Sequence, residues 1–458
     1  MNNAASLGAQ KKQGNIVAII AMFFLFAMIS FVTNLAAPIG TIWKNSYDWS
    51  GMVGNFMNFF AYLIMGIPAG TMLVRIGYKK TALWAMAIGA IGIFLQYLSG
   101  LLGADVRTFS VDGSPVMLNF LIYLLGAFVC GFCVCMLNTV VNPMLNLLGG
   151  GGNKGNQLIQ LGGSLNSLAG TLTPFFVGML IGAVTKDTSM ADVSALLWIA
   201  MAVFVAAFII ISFVSIPEPH IHKKGEGKVK YSHSAWSFRH TVLGVIGIFF
   251  YVGIEVGIPG VLIFYLSDSA ASGITENATA VAGAVAAVYW LLMLVGRLSS
   301  SAISGVVSSR TQLMVASSCA IVLILLAIFI PSAVRVSMPS YAAGVGFAMA
   351  QVPIKALFLV LCGLFTSVMW GGIFNLAVEG LGKYTAQASG IFMMMVVGGG
   401  VMPLLQNAIA DNVGYMASYW LVIAMLAYLF YYAIAGSKNV NRDIPVDEEE
   451  EAQIPDSI

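Results

Sequence analysis

The chain has 458 residues, of which 59% are hydrophobic and only 9% charged. A soluble globular domain carries about 25% charged residues, so this composition excludes one and indicates a membrane protein. The net charge is +2, and the absence of a basic patch with interleaved aromatics removes nucleic acid as a partner.

Residues 1–14 are polar, with Lys11 and Lys12 just ahead of the first apolar run. That run begins at Ile16 and is long enough to span, so it reads as a membrane helix and not as a cleaved signal. Six runs precede a charged stretch, at about 15–43, 48–74, 81–103, 116–147, 157–184 and 193–216. Six follow it, at about 241–267, 279–305, 312–331, 352–379, 386–410 and 414–436. Each meets the roughly 20 residues that a bilayer requires. The ninth and tenth runs have the least sharp boundary, because Pro331 to Pro353 is apolar enough for it to shift by several residues.

The predicted fold is therefore an all-α membrane protein of twelve transmembrane helices in two six-helix bundles. Its parts are a cytoplasmic N-terminus (1–14), an N-terminal bundle (15–216), a central cytoplasmic loop (217–240), a C-terminal bundle (241–436) and an acidic cytoplasmic tail (437–458). With both termini inside, 16 of the 21 lysines and arginines fall on the cytoplasmic side, and Lys44, Arg107, Lys186, Arg335 and Lys355 fall outside. That is the positive-inside bias. Two packed halves suggest a midplane substrate site.

The hairpin Met136–Asn166 draws most attention. Asn138 and Asn142 are four apart, on one helical face, and Pro143 loosens the ladder beside them. Gln160, Ser164 and Asn166 follow beyond the glycine-rich turn Gly149 to Gly152. Amides at membrane depth either line a bundle interior or watery cavity or glue helices together. So many in one hairpin favour a substrate path.

Further amides are Asn55, Asn58, Asn375 and Gln406, and the aromatic candidates are Tyr62, Tyr251, Tyr289, Trp290 and Trp370. Asn55, Asn58 and Tyr62 recur at i, i+3 and i+7, one face of a helix. Glu255 is the one acid well inside a span. A carboxylate buried alone there could exchange a proton or help ligate a sodium ion. Arg297 reads as a gate or interface charge more than a ligand. Cys130 and Cys133 have CxxC spacing, but in an apolar helix they read as small packing residues. Met393 to Met395 reads as adaptable packing, not a metal site. No nucleophile–base pair or metal cluster points to an enzyme, and no cofactor is expected.

The stretch Gly70-Thr-Met-Leu-Val-Arg75-Ile-Gly77-Tyr-Lys79-Lys80 resembles the cytoplasmic signature G-x-x-x-D-R-x-G-[RK]-[RK] of the major facilitator superfamily, with Val74 in place of the aspartate. Within that superfamily the chain is similar to the fucose–galactose–glucose symporter family along nearly its whole length. Phe23-Phe24-Leu25 leading to Asn34 and Pro38 follows F-F-L…N-D-x-x-x-P. Leu137-Asn138-Thr139 through Asn142-Pro143 follows L-E-T-x-x-N-P, and Leu165-Asn166-Ser167 follows F-N-S. Phe250-Tyr251-Val252-Gly253-Ile254-Glu255 carries Y-V-G-x-E. Gly372 to Ala377, Gly398 to Pro403 and Asp411 complete the series.

The resemblance implies uptake of a hexose, or a related mono- or disaccharide, by alternating access and driven by an ion gradient. It and the amide pattern together nominate Asn34, Asn55, Asn58, Asn138, Asn142, Asn166, Tyr251, Trp370 and Asn375 for sugar and Glu255 for the coupling ion. Two departures matter. Proton-coupled fucose members carry acids where this chain has Asn34 and Asn138, and asparagine does not titrate. The glutamine that they hold three residues before the asparagine of the fifth span is Gly163 here. Sodium is accordingly preferred to the proton as the ion.

The alternatives are an uncoupled sugar facilitator, an exporter of apolar drugs, a non-transporting nutrient sensor and, least supported, a membrane enzyme. The mid-span amides weigh against drugs, and the short loop and tail weigh against a sensor. A monomer in a bacterial inner membrane is expected, in contact with sugar and lipid.

Overall fold

The computed structural model describes residues 16–33, 53–111, 113–181, 189–218, 233–276, 278–342 and 346–446, with isolated positions between 39 and 50. Asn34 and the acidic run of the tail lie outside the described residues.

In chain order the elements begin with helices α1 (Ile16–Thr33) and α2 (Val53–Ser99). Strands β1 (Arg107–Val111) and β2 (Ser114–Met117) follow, then α3 (Leu118–Leu148), α4 (Gly152–Ile181) and α5 (Ser194–Phe213). After the central loop come α6 (Arg239–Ser267), the single turn α7 (Ser269–Ser272), α8 (Ala278–Ile303) and α9 (Ser309–Phe329). Strands β3 (Arg335–Ala342) and β4 (Gly346–Pro353) lead to α10 (Ile354–Thr366) and α11 (Met369–Ala377). The chain continues through α12 (Thr385–Met394), α13 (Gly398–Val413) and α14 (Tyr415–Tyr431).

Among the described residues, ten helical stretches are long and apolar enough to cross a membrane. One of them, α2, has 47 residues and is interrupted at Gly77 (φ 87°, ψ 171°). At 1.5 Å per residue such a helix is about twice the length that a bilayer core requires. The 30-residue α4 is a further helix. The outward faces carry large apolar side chains such as Trp84, Ile91, Trp198, Ile209 and Trp420. In water an apolar surface of this extent would mark an interaction site.

Two further apolar stretches are broken inside. Ile354–Ala377 is interrupted at Ser367 and Val368, between α10 and α11. Gly382–Val413 is interrupted by a 3-10 turn at Met395–Val397, between α12 and α13.

The fold is helical, as expected, and two short antiparallel hairpins lie in the connections between helices. β1 pairs antiparallel with β2, and β3 with β4 in the register Arg335↔Pro353 to Ala342↔Gly346. The second hairpin occupies the apolar stretch whose boundaries the sequence left blurred. Its burial alternates: Arg335, Ser337 and Pro339 are exposed, while Met338 and Ser340 are buried. That period of two belongs to a strand. The hairpin ends the ninth run at Phe329 and starts the tenth at Ile354.

The chain forms two compact units. The first is Met1–Leu148, Leu168–Ser234 and Gly382–Met394; the second is Gly149–Ser167, Ala235–Leu381 and Met395–Ile458. In the first, α2 packs on α3 and α5, and α12 packs on α2 and α3. Its core holds Tyr78, Phe120, Tyr123 and Phe204. In the second, α6 is central, packed by α8, α11, α13 and α14, with Tyr251, Tyr289, Tyr419 and Tyr432 buried around it. The break at Met395–Val397 coincides with the border between the two units.

Gly77 explains the turn inside α2. Its positive φ is a conformation that side chains other than glycine's rarely adopt. The second half of α2 then begins at Tyr78, and its free N–H groups need acceptors. Glu218 supplies them: its carboxylate accepts from Tyr78 N–H at 2.6 Å and from Lys79 N–H at 2.9 Å. Lys79 Nζ in turn donates to Ser212 O at 2.7 Å. A Cβ on Gly77 would run into that carboxylate.

Candidate substrate and coupling site

The candidate residues fall into two sets. Asn55, Asn58, Asn138 and Asn142 belong to the first unit, and Asn166, Tyr251, Glu255, Trp370 and Asn375 to the second.

In the first unit, the spacing of Asn138 and Asn142 on α3 turns both amides to one face. Asn138 Nδ2 donates to Tyr62 OH at 2.8 Å and to Val134 O at 3.2 Å. Asn142, fully buried, donates to Asn138 O at 2.8 Å. Pro143 has no N–H to give the carbonyl four residues back, that of Thr139. Ser389 of α12 takes over, its hydroxyl donating to Thr139 O at 3.3 Å. One helical turn of α2 before Tyr62, Asn58 is buried, and its Oδ1 has no partner among the described residues. Asn55 is half-buried on the same helix. Tyr62 on that helix ties α2 to α3.

In the second unit, Glu255 is not alone. Arg297 of α8 meets it at 3.1 Å, the one ion pair among the described residues, with side chains 10% and 15% exposed respectively. A lone buried carboxylate is costly, and an arginine supplies both charge and directed donors. Arg297 also donates from Nη1 to Gly163 O and Ser167 Oγ, both at 2.9 Å, and from Nε to Ser367 O at 3.4 Å. The guanidinium thus joins α6, α8 and the first half of α4 at the point where α10 ends. Asn166 lies beside Ser167 on α4, half-buried.

Tyr251 sits one turn before Glu255 and is fully buried; its ring meets Trp370 edge-on, with centroids 6.2 Å apart. An aromatic face next to a charged, hydrogen-bonding group suits a ring with apolar C–H faces and a polar rim. Asn375 donates to Ser309 Oγ at 2.9 Å, at the first residue of α9. The other aromatic candidates differ. Tyr289 is bonded to Thr366 at 2.8 Å inside the unit, and Trp290 is 42% exposed on the outer surface.

Spacing along the chain missed the residues that act from a distance. Glu218, Ser389 and Ser367 gave no signal of their own, although the prolines at 217 and 219 do mark the end of a helix. The cysteines Cys130, Cys133 and Cys135 are free and buried in α3. Among the described residues no cluster of three or more potential metal ligands occurs.

The profile of the Major Facilitator Superfamily matches residues 19–359. A glucose/galactose transporter of Brucella abortus is 31% identical over 442 residues, covering 94% of this chain and 96% of the relative. A putative glucose/galactose transporter of Helicobacter pylori is 29% identical, covering 92% of this chain and 96% of the relative. The crystal structure of the Escherichia coli fucose:proton symporter superposes with a TM-score of 0.70 at 19% identity, covering 91% of this chain and 98% of that one. These relatives are transporters and not enzymes. On these grounds the chain belongs to the major facilitator superfamily, as a membrane-embedded member of its fucose–galactose–glucose family of sugar transporters.

Proposed function

We propose that this transporter imports a hexose of the glucose–galactose kind across a bacterial inner membrane, as a monomer working by alternating access. The carrying observation is the group on α6: Tyr251 against Trp370, with the Glu255–Arg297 pair one turn further along. It offers two aromatic rings and charged hydrogen-bonding groups close together on α6, α8 and α11. The amides Asn138 and Asn142 with Tyr62 offer sugar-compatible donors and acceptors on the first unit.

We read twelve spans with both termini cytoplasmic. Support comes from the ten apolar stretches, the bend that lets α2 cross twice, and α4 as a further helix. The lysine and arginine bias supplies the orientation.

Glu255 is the group we assign to ion coupling. Its described partner is an arginine and not a cage of oxygen ligands, so the geometry gives sodium no advantage over the proton. The Escherichia coli fucose relative is described as a proton symporter. An uncoupled facilitator is the second reading, favoured by the fact that Glu255 is already neutralised by Arg297.

The test is hexose uptake into proteoliposomes with proton and sodium gradients imposed separately. Accumulation against a sugar gradient with either ion supports symport and names the ion. Equilibration alone with both ions selects the facilitator. No sugar flux at all removes the proposal.

A further inference from the structure

Gln406 of α13 is fully buried, and neither its Oε1 nor its Nε2 has a hydrogen-bond partner among the described residues. An amide can make up to four hydrogen bonds, and leaving a buried polar group unpaired is unfavourable. Native structures rarely tolerate this without a ligand, a water or a functional reason. Here donor and acceptor of the same side chain are both left over.

The surroundings are specific. α6 and α13 run side by side in register: a Cβ on Gly398 would overlap Phe249 O, and one on Gly253 would overlap Met402. One turn further, Gly257 faces Gln406, and a Cβ there would overlap Gln406 Oε1. Only glycine leaves the amide oxygen its place. Gly257 is two residues beyond Glu255, a rise of about 3 Å, so the amide lies at nearly the depth of the Glu255–Arg297 pair. Both helices carry a proline here, Pro259 and Pro403. Each withholds one ladder hydrogen bond and makes local opening of the α6–α13 contact easier.

We propose that Gln406, in the niche left by Gly257, is a specificity-determining residue that binds one hydroxyl of the transported sugar. A hydroxyl both donates and accepts, which matches an amide with both functions vacant. In the state seen here α6 closes over the amide, and the hydroxyl reaches it as the two helices part. The inference rests on the sugar-transport reading. It adds a residue on α13, about 200° around α6 from Glu255 and so on the other side of that helix from the group on α8 and α10–α11, and it assigns to that residue discrimination between sugars.

A site built to bond a hydroxyl rejects an analogue that lacks it, because its polar groups are then stranded. The experiment compares purified parent and Gln406→Met in detergent. It measures thermal unfolding without sugar, and binding of glucose, galactose and the monodeoxy derivatives of each. Methionine keeps the length and removes both polar functions. We expect Gln406→Met to unfold at a higher temperature, since the unpaired amide is gone. We expect it to bind the parent's preferred hexose at least tenfold more weakly. We also expect it to lose the parent's discrimination against one particular deoxy sugar. Unchanged hexose affinity and an unchanged deoxy profile in a folded Gln406→Met would overturn the inference while leaving sugar transport standing. A parent that binds none of these sugars would overturn the functional reading itself, and the inference with it.

Discussion

Arg297 and Glu255 form an ion pair at 3.1 Å, and the same guanidinium holds Gly163 O and Ser167 Oγ of α4. The carboxylate therefore reports to α4 through a shared arginine. Taking one partner from a buried pair strands the other, at a cost of about 3–5 kcal/mol. Arg297→Met should therefore lower thermal stability clearly. Glu255→Gln keeps the shape and an acceptor for Arg297 while removing the charge. It should abolish uphill accumulation in proteoliposomes and retain sugar exchange down its gradient. A Glu255→Gln protein that still concentrates sugar as the parent does would take Glu255 out of coupling.

The cap on the second half of α2 makes a separate prediction. Glu218 accepts from Tyr78 and Lys79 N–H at the positive end of a helix, where an anion is favoured. Glu218→Ala should cost about 0.5–2 kcal/mol, the range for loss of a helix cap. Gly77→Ala should cost at least as much, because it adds left-handed strain to a collision with the carboxylate. Thermal unfolding in detergent measures both, and a Gly77→Ala protein as stable as the parent would contradict the account.

What the sequence revealed and what it hid divide along locality. The apolar runs are long and nearly free of charge, so hydropathy found the helices. The four-residue spacing of Asn138 and Asn142 was enough to put them on one face. By contrast Arg297 and Glu255 are 42 positions apart, and Glu218 and Tyr78 are 140 apart. No spacing rule reaches across such distances. The β3–β4 hairpin was hidden for another reason. Met338, Ala348, Ala350 and Val352 keep a hydropathy window high whether they alternate in a strand or follow a helix. Only the alternating burial of Arg335 to Ser340 separates the two.

The orientation is tested with single cysteines. The native Cys130, Cys133, Cys135 and Cys362 are buried, and Cys319 is partly so, which favours a low labelling background. Phe109 in β1 is 50% exposed, and Lys438 beyond α14 is exposed. A cysteine replacing Phe109 should react with an impermeant maleimide from outside intact cells. One replacing Lys438 should react only after the membrane is opened. The reverse pattern would invert the topology.

Asn138 and Tyr62 decide whether the amides of the first unit serve sugar or only helix packing. Asn138 Nδ2 donates to Tyr62 OH at 2.8 Å, joining α3 to α2. Both residues are buried, so removing either one leaves the other short of a bond. A net contribution of about 0.5–1.5 kcal/mol is expected for such a bond. A double-mutant cycle of Asn138→Ala with Tyr62→Phe isolates it, because the two residues touch and should not add. If the pair is packing alone, the coupling appears in thermal stability and sugar affinity does not change in any variant. If the pair also meets the substrate, each single change should weaken hexose binding roughly threefold to tenfold. The effect of each on affinity should then shrink in the background of the other. Lower stability with unaltered affinity in all three variants would assign the pair to helix packing and move the sugar-binding groups elsewhere.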